Sequence, residues 1–362
     1  MSPTAQSLRS SQLPESYFTW PGVLGRLGRG EELSESQVQW AMQEIMDGRA
    51  TDAQIAAFAF GLRVRGITAA ELAAAASTMR SFATNVVLDN NNCVDIVGTG
   101  GDGHHTVNIS TMASFVVAAT GIPVVKHGNR AASSRCGGAD MLEALGLDIE
   151  RSPEDVVKDL EASKFAFMYA KTYHPAMRFA GPVRSELGVP TLFNLLGPMT
   201  NPASPKYGLI GCAFKEFMPI MGGAFAHQGS RVLVVRGMDG MDEISVCTPT
   251  EVVTVNSEGV TGEEIINPRS VGLDFHPEGS LAGGDAAYNA DVARKLMANE
   301  IDGAIKDAVL INAAGALTAY HGWEEQGFHE SVRRNVQVAR EALESGAAGA
   351  QLSAILGERH SG

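Results

Sequence analysis

Cysteine is scarce in this chain. Four cysteines in 362 residues (Cys93, Cys136, Cys212 and Cys247) form no C-x-x-C pair and no zinc-like spacing. That excludes a disulfide framework and suits a reducing cytoplasm. Long apolar runs are missing too: nothing approaches the ~18 uninterrupted apolar residues of a membrane span. The amino-terminal MSPTAQSLRSSQLPESY lacks the apolar core of a signal peptide. Positive charge is also short, with 28 Lys+Arg against 41 Asp+Glu and a formal charge of −13. The field of such a chain repels phosphate, which excludes general binding to nucleic acid or to an anionic membrane. Any phosphate site must be a local exception.

What is present is the composition of a soluble globular protein, 44% hydrophobic and 19% charged. The length suits about two domains of ~150 residues. Forty glycines exceed the usual share, so tight turns and close backbone approaches are expected. No fixed-period repeat or low-complexity tract interrupts the chain.

The first third reads as helices. Ser34 with Gln37, Thr51 with Gln54 and Thr68 with Glu71 form capping boxes, each followed by apolar residues at helical spacing. Their inward faces are Val38, Ala41, Met42, Ile45 and Met46, then Ile55, Phe58 and Leu62, then Leu72, Ala75, Ala76 and Met79. After the polar run Asp89–Asn92 the pattern changes. Short strands are expected over Val94–Val97, Pro123–Val125, Phe165–Ala170, Gly208–Ala213 and Arg231–Arg236, alternating with helices. Such alternation implies a largely parallel sheet covered on both faces. His174–Leu187 has helical spacing, with Pro182 either kinking the helix or beginning a new one. Helices near Ala304–Ala319 and Trp323–Leu343 close the chain.

The first chemical signal is Gly98-Thr99-Gly100-Gly101-Asp102-Gly103, just after a strand. It satisfies the dinucleotide pattern G-x-G-x-x-G, but that site needs an acidic residue about twenty positions later. Residues 103–139 contain no Asp or Glu, where the chain's average would supply about four. Lys126, Arg130, Arg135, His104, His105 and His127 fall in the same window. This local cationic stretch suits several phosphate charges rather than a dinucleotide. Glycines let backbone N–H groups close around an oxyanion, and Thr106, Asn108, Ser110 and Thr111 add donors at a helix start. Lys126 is expected at the end of the next strand, on the sheet edge where such folds bind ligands. A glycine-rich turn with a solvated basic loop is the plainer reading. His104 and His105 read as solvent-facing, and Cys136 as a packed thiol with no base placed to activate it.

An acidic counterpart follows the strand Arg231–Val235. Asp239, Asp242 and Glu243 sit on a glycine-containing loop, a donor set for a hard cation held jointly with substrate phosphates. From its residues alone this is either a solvated acidic turn or a cation site. A carboxylate pair for glycoside hydrolysis is a third chemistry, but it leaves the basic window unexplained.

GTGGDG (98–103), NIST (108–111), KHGNRAASS (126–134), VRSELGVPTLFNLLGPMTNP (183–202) and GMDE (240–243) together resemble the anthranilate phosphoribosyltransferase family, in order, from about residue 20 to the carboxyl end. The resemblance implies a small all-helical domain plus a larger α/β domain with a mostly parallel central sheet, of the nucleoside phosphorylase and phosphoribosyltransferase kind. Its helical domain would be 1–88 joined by roughly 175–205, and its α/β domain 89–174 with 206–362. It implies transfer of the phosphoribosyl group from 5-phosphoribosyl 1-pyrophosphate to the amine of anthranilate, in tryptophan biosynthesis. It further implies two Mg2+ ions and a cytoplasmic homodimer whose partners are small-molecule substrates, with no nucleic acid and no membrane.

Carried over by position, the resemblance implies phosphoribosyl pyrophosphate contacts at Gly98, Gly101, Asp102, Thr106, Asn108, Ile109, Ser110 and Thr111. A second phosphate wall would run through Lys126, His127, Gly128, Asn129, Arg130, Ala131, Ala132, Ser133 and Ser134, with Gly138 beside it. Anthranilate would meet Gly98, Asn129 and Arg184, the last through its carboxylate. Ser110, Asp242 and Glu243 would hold the metal. Cys136 and Gly138 stand where many relatives carry serine, so neither is expected to give phosphate a side-chain hydroxyl. A neutral aromatic amine attacking an oxocarbenium-like C1 needs no acid, base or nucleophile from the protein, and no catalytic side chain is assigned. For His127 and His174 two readings stay open, a place along the anthranilate path or a packed or solvated ring. The rival functions are a pyrimidine-nucleoside phosphorylase and a non-catalytic nucleic-acid-binding relative; the charge of −13 opposes the second.

Overall fold

The computed structural model describes residues 18–131 and 135–357. Four helices come first: α1 (Trp20–Gly28), α2 (Glu35–Met46), α3 (Asp52–Arg65) and α4 (Ala69–Ser81). The three expected capping boxes are all formed. All the apolar positions named for α2, α3 and α4 are buried. Helix α1, not anticipated above, buries Trp20, Val23 and Leu27 at helical spacing; Thr19 caps it and Pro21 opens its first turn. Glu71, the last capping-box acid, also pairs with Arg65 and accepts the Leu33 N–H at 2.8 Å, so one carboxylate both starts α4 and joins it to its neighbours.

Seven strands form one sheet in the order β3-β2-β1-β4-β5-β6-β7. They are β1 (Val94–Gly98), β2 (Val124–Gly128), β3 (Phe165–Tyr169), β4 (Tyr207–Gly211), β5 (Arg231–Gly237), β6 (Thr250–Asn256) and β7 (Gly259–Ile266). The first five are parallel and the last two antiparallel. The sheet is therefore mostly parallel, as expected. The β6–β7 hairpin has no counterpart in the sequence reading, because its residues mix charge, glycine and β-branched types without a clean alternation.

The remaining helices are α5 (Ile109–Ala119), α6 (Gly138–Leu145), α7 (Pro153–Ser163), α8 (Ala170–Tyr173), α9 (Gly181–Leu187), α10 (Leu192–Met199), α11 (Met218–His227), α12 (Ala286–Met297), α13 (Ala304–His321), α14 (Phe328–Glu344) and α15 (Ala347–Ile355). Leu209, Leu233 and Val235 point into a core shared with α5, α13 and α14. Ile210, Val232 and Val234 point the other way, into a core with α1–α4, α9, α10 and α11. Both faces of β4 and β5 are thus apolar, which is what a parallel sheet with two covers requires.

Of the two readings open for Pro182 the structure takes the second: it lies in the first turn of α9, after a short 3₁₀ turn, Pro175–Phe179. Two boundaries differ from expectation. The α14 helix starts at Phe328 and not near Trp323, because Gly327 at φ 83° is outside helical backbone. Strand β2 runs on to Gly128, which places Lys126 inside the strand and not at its end.

Candidate active site

The carboxyl ends of β1, β2, β4 and β5 converge. Gly98 and Gly211 are register partners at the ends of β1 and β4. A Cβ built on either would overlap Asp242: its carboxylate from Gly98, its backbone from Gly211. The two glycines therefore make a notch, and the acidic loop after β5 seats in it. Beyond Gly98 the chain takes positive φ at Gly100, Gly101 and Gly103 (67°, 83° and 76°), a path open to glycine at little cost.

Within the notch, Asp242 Oδ2 accepts the Gly100 N–H at 2.7 Å. Burial, and then the charge of Asp102, push the Asp242 carboxyl up to about 7. Glu243 Oε1 accepts the Ser110 N–H at 3.1 Å, in the first turn of α5. Its other oxygen, Oε2, is buried without a hydrogen-bond partner, and burial followed by Asp242 holds the group well above the ordinary range. Two crowded carboxylates with an orphaned oxygen call for a cation. Among the described residues no three His, Cys, Asp or Glu side chains gather to hold a metal. Asp242 and Glu243 thus fit a magnesium that takes its other oxygens from a substrate. Asp239 is not part of this pair. It accepts from Ser245 Oγ at 2.6 Å and from the Met241 N–H at 3.2 Å, which makes it the turn-former of the loop.

The basic window is less exposed than its sequence suggests. Lys126 is buried, and its ammonium donates to the Ile96 carbonyl and to Ser110 Oγ at 3.3 Å. Burial lowers its pKa, while Asp95, Glu243 and Asp242 oppose that shift. The expectation of an ammonium standing at the strand end, free of the core, is corrected accordingly. Arg130 is held by Asp140 at 3.0 Å, by Glu143, and by Tyr169 Oη at 3.2 Å. Those acids follow directly on the acid-free window, and the fold turns them back onto it.

Other expected residues take varied places. Thr106 forms an isolated antiparallel bridge with Ala282. Asn108 donates to the Cys136 carbonyl at 3.1 Å and accepts from Asn289 at 2.8 Å, so its side chain is occupied in holding α5 to its neighbours. Ile109 is buried at the start of α5. Thr111 Oγ1 is buried without a partner, and a Cβ on Gly138 would come to 3.0 Å from it. Cys136 is packed, with burial raising its thiol to about 11. Gly128 is needed where Phe167 packs against the strand. Asn129 is exposed, with Oδ1 accepting the Arg130 N–H at 2.8 Å. Ala131 donates its N–H to Asp140 at 3.0 Å, while Ala132, Ser133 and Ser134 lie outside the described residues.

His127 and His174 stack edge to face with ring centres 5.1 Å apart. His127 Nδ1 meets the Gly197 carbonyl at 3.1 Å and its Nε2 has no partner. Burial lowers the two to about 3 and about 4, so both rings are neutral. Arg184, on α9, is partly buried, and desolvation lowers its pKa. It has no ion-pair partner among the described residues, which leaves its guanidinium available for an anion. Sequence reasoning missed Gly211 and Asp95, the first an unremarkable strand glycine and the second an acid in a strand with no spacing signal.

Family models match nearly the whole chain. The helical bundle domain of the glycosyl transferase family matches residues 21–83, and its a/b domain matches residues 90–349. The anthranilate phosphoribosyltransferase of Corynebacterium jeikeium is 78% identical over 99% of this chain and 100% of its own length. That of Rhodococcus opacus is 48% identical over 97% and 96%. Among solved structures, the Thermus thermophilus anthranilate phosphoribosyltransferase superposes with a TM-score of 0.86 at 39% identity, covering 93% of this chain and 98% of that one. The Saccharomyces cerevisiae enzyme in complex with PRPP and Mg gives 0.85 at 26% identity, covering 94% and 99%.

Proposed function

The chain belongs to the anthranilate phosphoribosyltransferase family, and from that membership we propose how its own residues carry the reaction. The enzyme transfers the phosphoribosyl group of 5-phosphoribosyl 1-pyrophosphate to the amine of anthranilate, releasing pyrophosphate and N-(5-phosphoribosyl)anthranilate. The product suits a place in tryptophan biosynthesis. Phosphoribosyl pyrophosphate lies on the glycine loop from Gly98 to Asp102, against Thr106 and the first turn of α5 (Ile109, Ser110, Thr111). Residues 126–134 and Gly138 form the opposite wall; the Lys126 and Arg130 side chains are already engaged, so those two residues contribute chiefly through their backbone.

Asp242 and Glu243, with Ser110, hold magnesium, two ions in all. Bound magnesium supplies positive charge to the departing pyrophosphate. Arg184 pairs with the anthranilate carboxylate and Asn129 orients the ring, so the amine faces C1. The neutral amine needs no general base to attack. Positioning of the two substrates supplies much of the remaining acceleration. No observation favours a phosphorylase or a nucleic-acid-binding role.

The observation that carries this reading is the glycine notch, which brings Asp242 onto the Gly100 N–H and leaves Glu243 Oε2 without a partner. The test follows anthranilate fluorescence with phosphoribosyl pyrophosphate while magnesium is titrated, in the wild type and in Asp242→Asn combined with Glu243→Gln. Turnover that falls roughly a hundredfold and needs more magnesium supports the metal assignment. Unchanged magnesium dependence overturns it.

The proposed domain boundaries are 1–88 with roughly 175–205 for the helical part and 89–174 with 206–362 for the α/β part. A homodimer joined through the helical part accords with Phe60 and Val64, which lie four residues apart on α3 and are 48% and 69% exposed. A cytoplasmic location accords with the scattered cysteines, and no described helix is long and apolar enough to cross a membrane.

A further inference from the structure

Between β1 and β4, and between β2 and β3, five residue pairs stand in register. Between β1 and β2 only Val94 and Val124 do. The two strands part directly beneath the site, and side chains occupy the gap. Asp95 Oδ1 accepts the His127 N–H at 3.2 Å, and Lys126 reaches the Ile96 carbonyl. Asn201, on the turn after α10, donates to Asp95 Oδ2 and to the Val125 carbonyl, both at 2.8 Å. Asp95 and Asn201 are each 2% exposed. A buried carboxylate is retained at such a site only when its oxygens are satisfied, and here each oxygen has a partner from a different segment.

The parted strands carry the two walls of the site. β1 leads into the glycine loop, and β2 ends at Gly128 and leads into Asn129. Asn201 belongs to the segment that leads from α9, which carries Arg184, back to the sheet. We propose that Asp95 is a positioning residue for the transfer reaction: through the His127 amide and Asn201 it sets the spacing between the glycine loop and the second wall, which carries Asn129 toward anthranilate. The proposal rests on the assignment of those walls made above. Asp95 touches neither substrate. It acts by replacing the missing ladder bonds with a fixed bridge, so that C1 and the attacking amine meet at reacting distance.

Replacing Asp95 by Asn leaves one acceptor oxygen where two N–H groups need one each. The expected result is a fall in kcat of about tenfold or more per active site, with a rise in the anthranilate KM larger than any change in phosphoribosyl pyrophosphate affinity. Active sites are counted by calorimetric binding of phosphoribosyl pyrophosphate with magnesium, which separates a misplaced wall from a smaller folded fraction. Asn201→Asp removes the same bond from the other side, together with the bond to the Val125 carbonyl, and is expected to give the same pattern at least as strongly. Asp95→Asn combined with Asn201→Asp restores a donor–acceptor pair with the roles exchanged, and should recover part of kcat. If Asp95→Asn does not fold, Asn201→Asp and the exchanged pair carry the test. A per-site kcat and anthranilate KM within twofold of wild type overturn the proposal, as does a loss explained wholly by fewer active sites or no recovery in the exchanged pair. Asn129→Ala reads the wall assignment alone: an unchanged anthranilate KM there condemns the assignment, whereas a raised one beside a normal Asp95→Asn condemns only the positioning role.

Discussion

Gly98 leaves just the room that Asp242 occupies: a Cβ at that position would overlap the carboxylate that accepts the Gly100 N–H at 2.7 Å. The missing side chain on β1 thus serves an acid 144 residues further along the chain.

Gly98→Ala is accordingly expected to push Asp242 out of its seat while leaving the sheet intact. Its turnover should fall about tenfold or more, and half-maximal rate should need more magnesium. Initial rates across a magnesium titration, with thermal unfolding alongside, check this. A normal magnesium curve would mean that the alanine is absorbed without moving the acid.

Asp242 also predicts a pH dependence. Its carboxyl is raised from 3.8 to about 7 in the fold, so the folded protein keeps this proton to higher pH than the unfolded chain does. For the metal-free enzyme its contribution is therefore nil below about pH 4, increasingly unfavourable from 4 to 7, and constant above. His127 and His174, lowered to about 3 and 4, act in the opposite sense but do so equally in a variant and drop out of a difference. Asp242→Asn should thus gain Tm over wild type as pH rises from 4 to 7, and Glu243, whose carboxyl the Asp242 charge also raises, shifts in the same direction and adds to that gain. In the wild type, apparent magnesium affinity should climb with pH through about 7, since the ligand must be ionised. A difference in Tm that is flat across that range refutes the assignment.

Arg184→Ala should raise the anthranilate KM about tenfold or more, because a charge-assisted bond to a carboxylate is worth roughly 1.5–3 kcal/mol. Phosphoribosyl pyrophosphate affinity should hold. Steady-state kinetics with each substrate varied in turn decides it, and equal damage to both would make Arg184 structural.

Lys126→Met is expected to harm the fold and not merely the binding of phosphate. The ammonium is buried among Asp95, Asp242 and Glu243, and removing one partner from a buried charge cluster costs about 3–5 kcal/mol. Urea unfolding should show a lower midpoint. Unchanged stability with weaker phosphoribosyl pyrophosphate binding would restore the reading of Lys126 as a surface phosphate ligand.

That contrast marks how far the sequence could be read. The capping boxes at Ser34, Thr51 and Thr68 are local devices, and each helix they open is present with its apolar face buried. The glycine loop and the Asp242–Glu243 pair stood out by composition, but their residues alone left a plain turn and a solvated acidic loop open; what the fold adds is that the two are seated together. Lys126 was misplaced because nothing in a short strand tells which residue is its last. Arg130 was counted in a local cationic stretch, whereas its compensating acids, Asp140 and Glu143, lie on the next helix and only the fold brings them back. The opening between β1 and β2 and the seat made by Gly211 depend on strand neighbours far apart in the chain, which no local pattern records.

The engagement of Arg130 by Asp140 and Glu143 reaches beyond the wall it stands on. With Lys126 also compensated, the site offers an incoming polyphosphate few unspent cations, within a chain of net charge −13. At a distance the protein repels the bare anion, and added salt screens that repulsion instead of an attraction. Capture of phosphoribosyl pyrophosphate is therefore expected to proceed best when the substrate arrives already partnered with its divalent ions, with ionic strength quickening the encounter where in a basic phosphate-binding protein it would slow it.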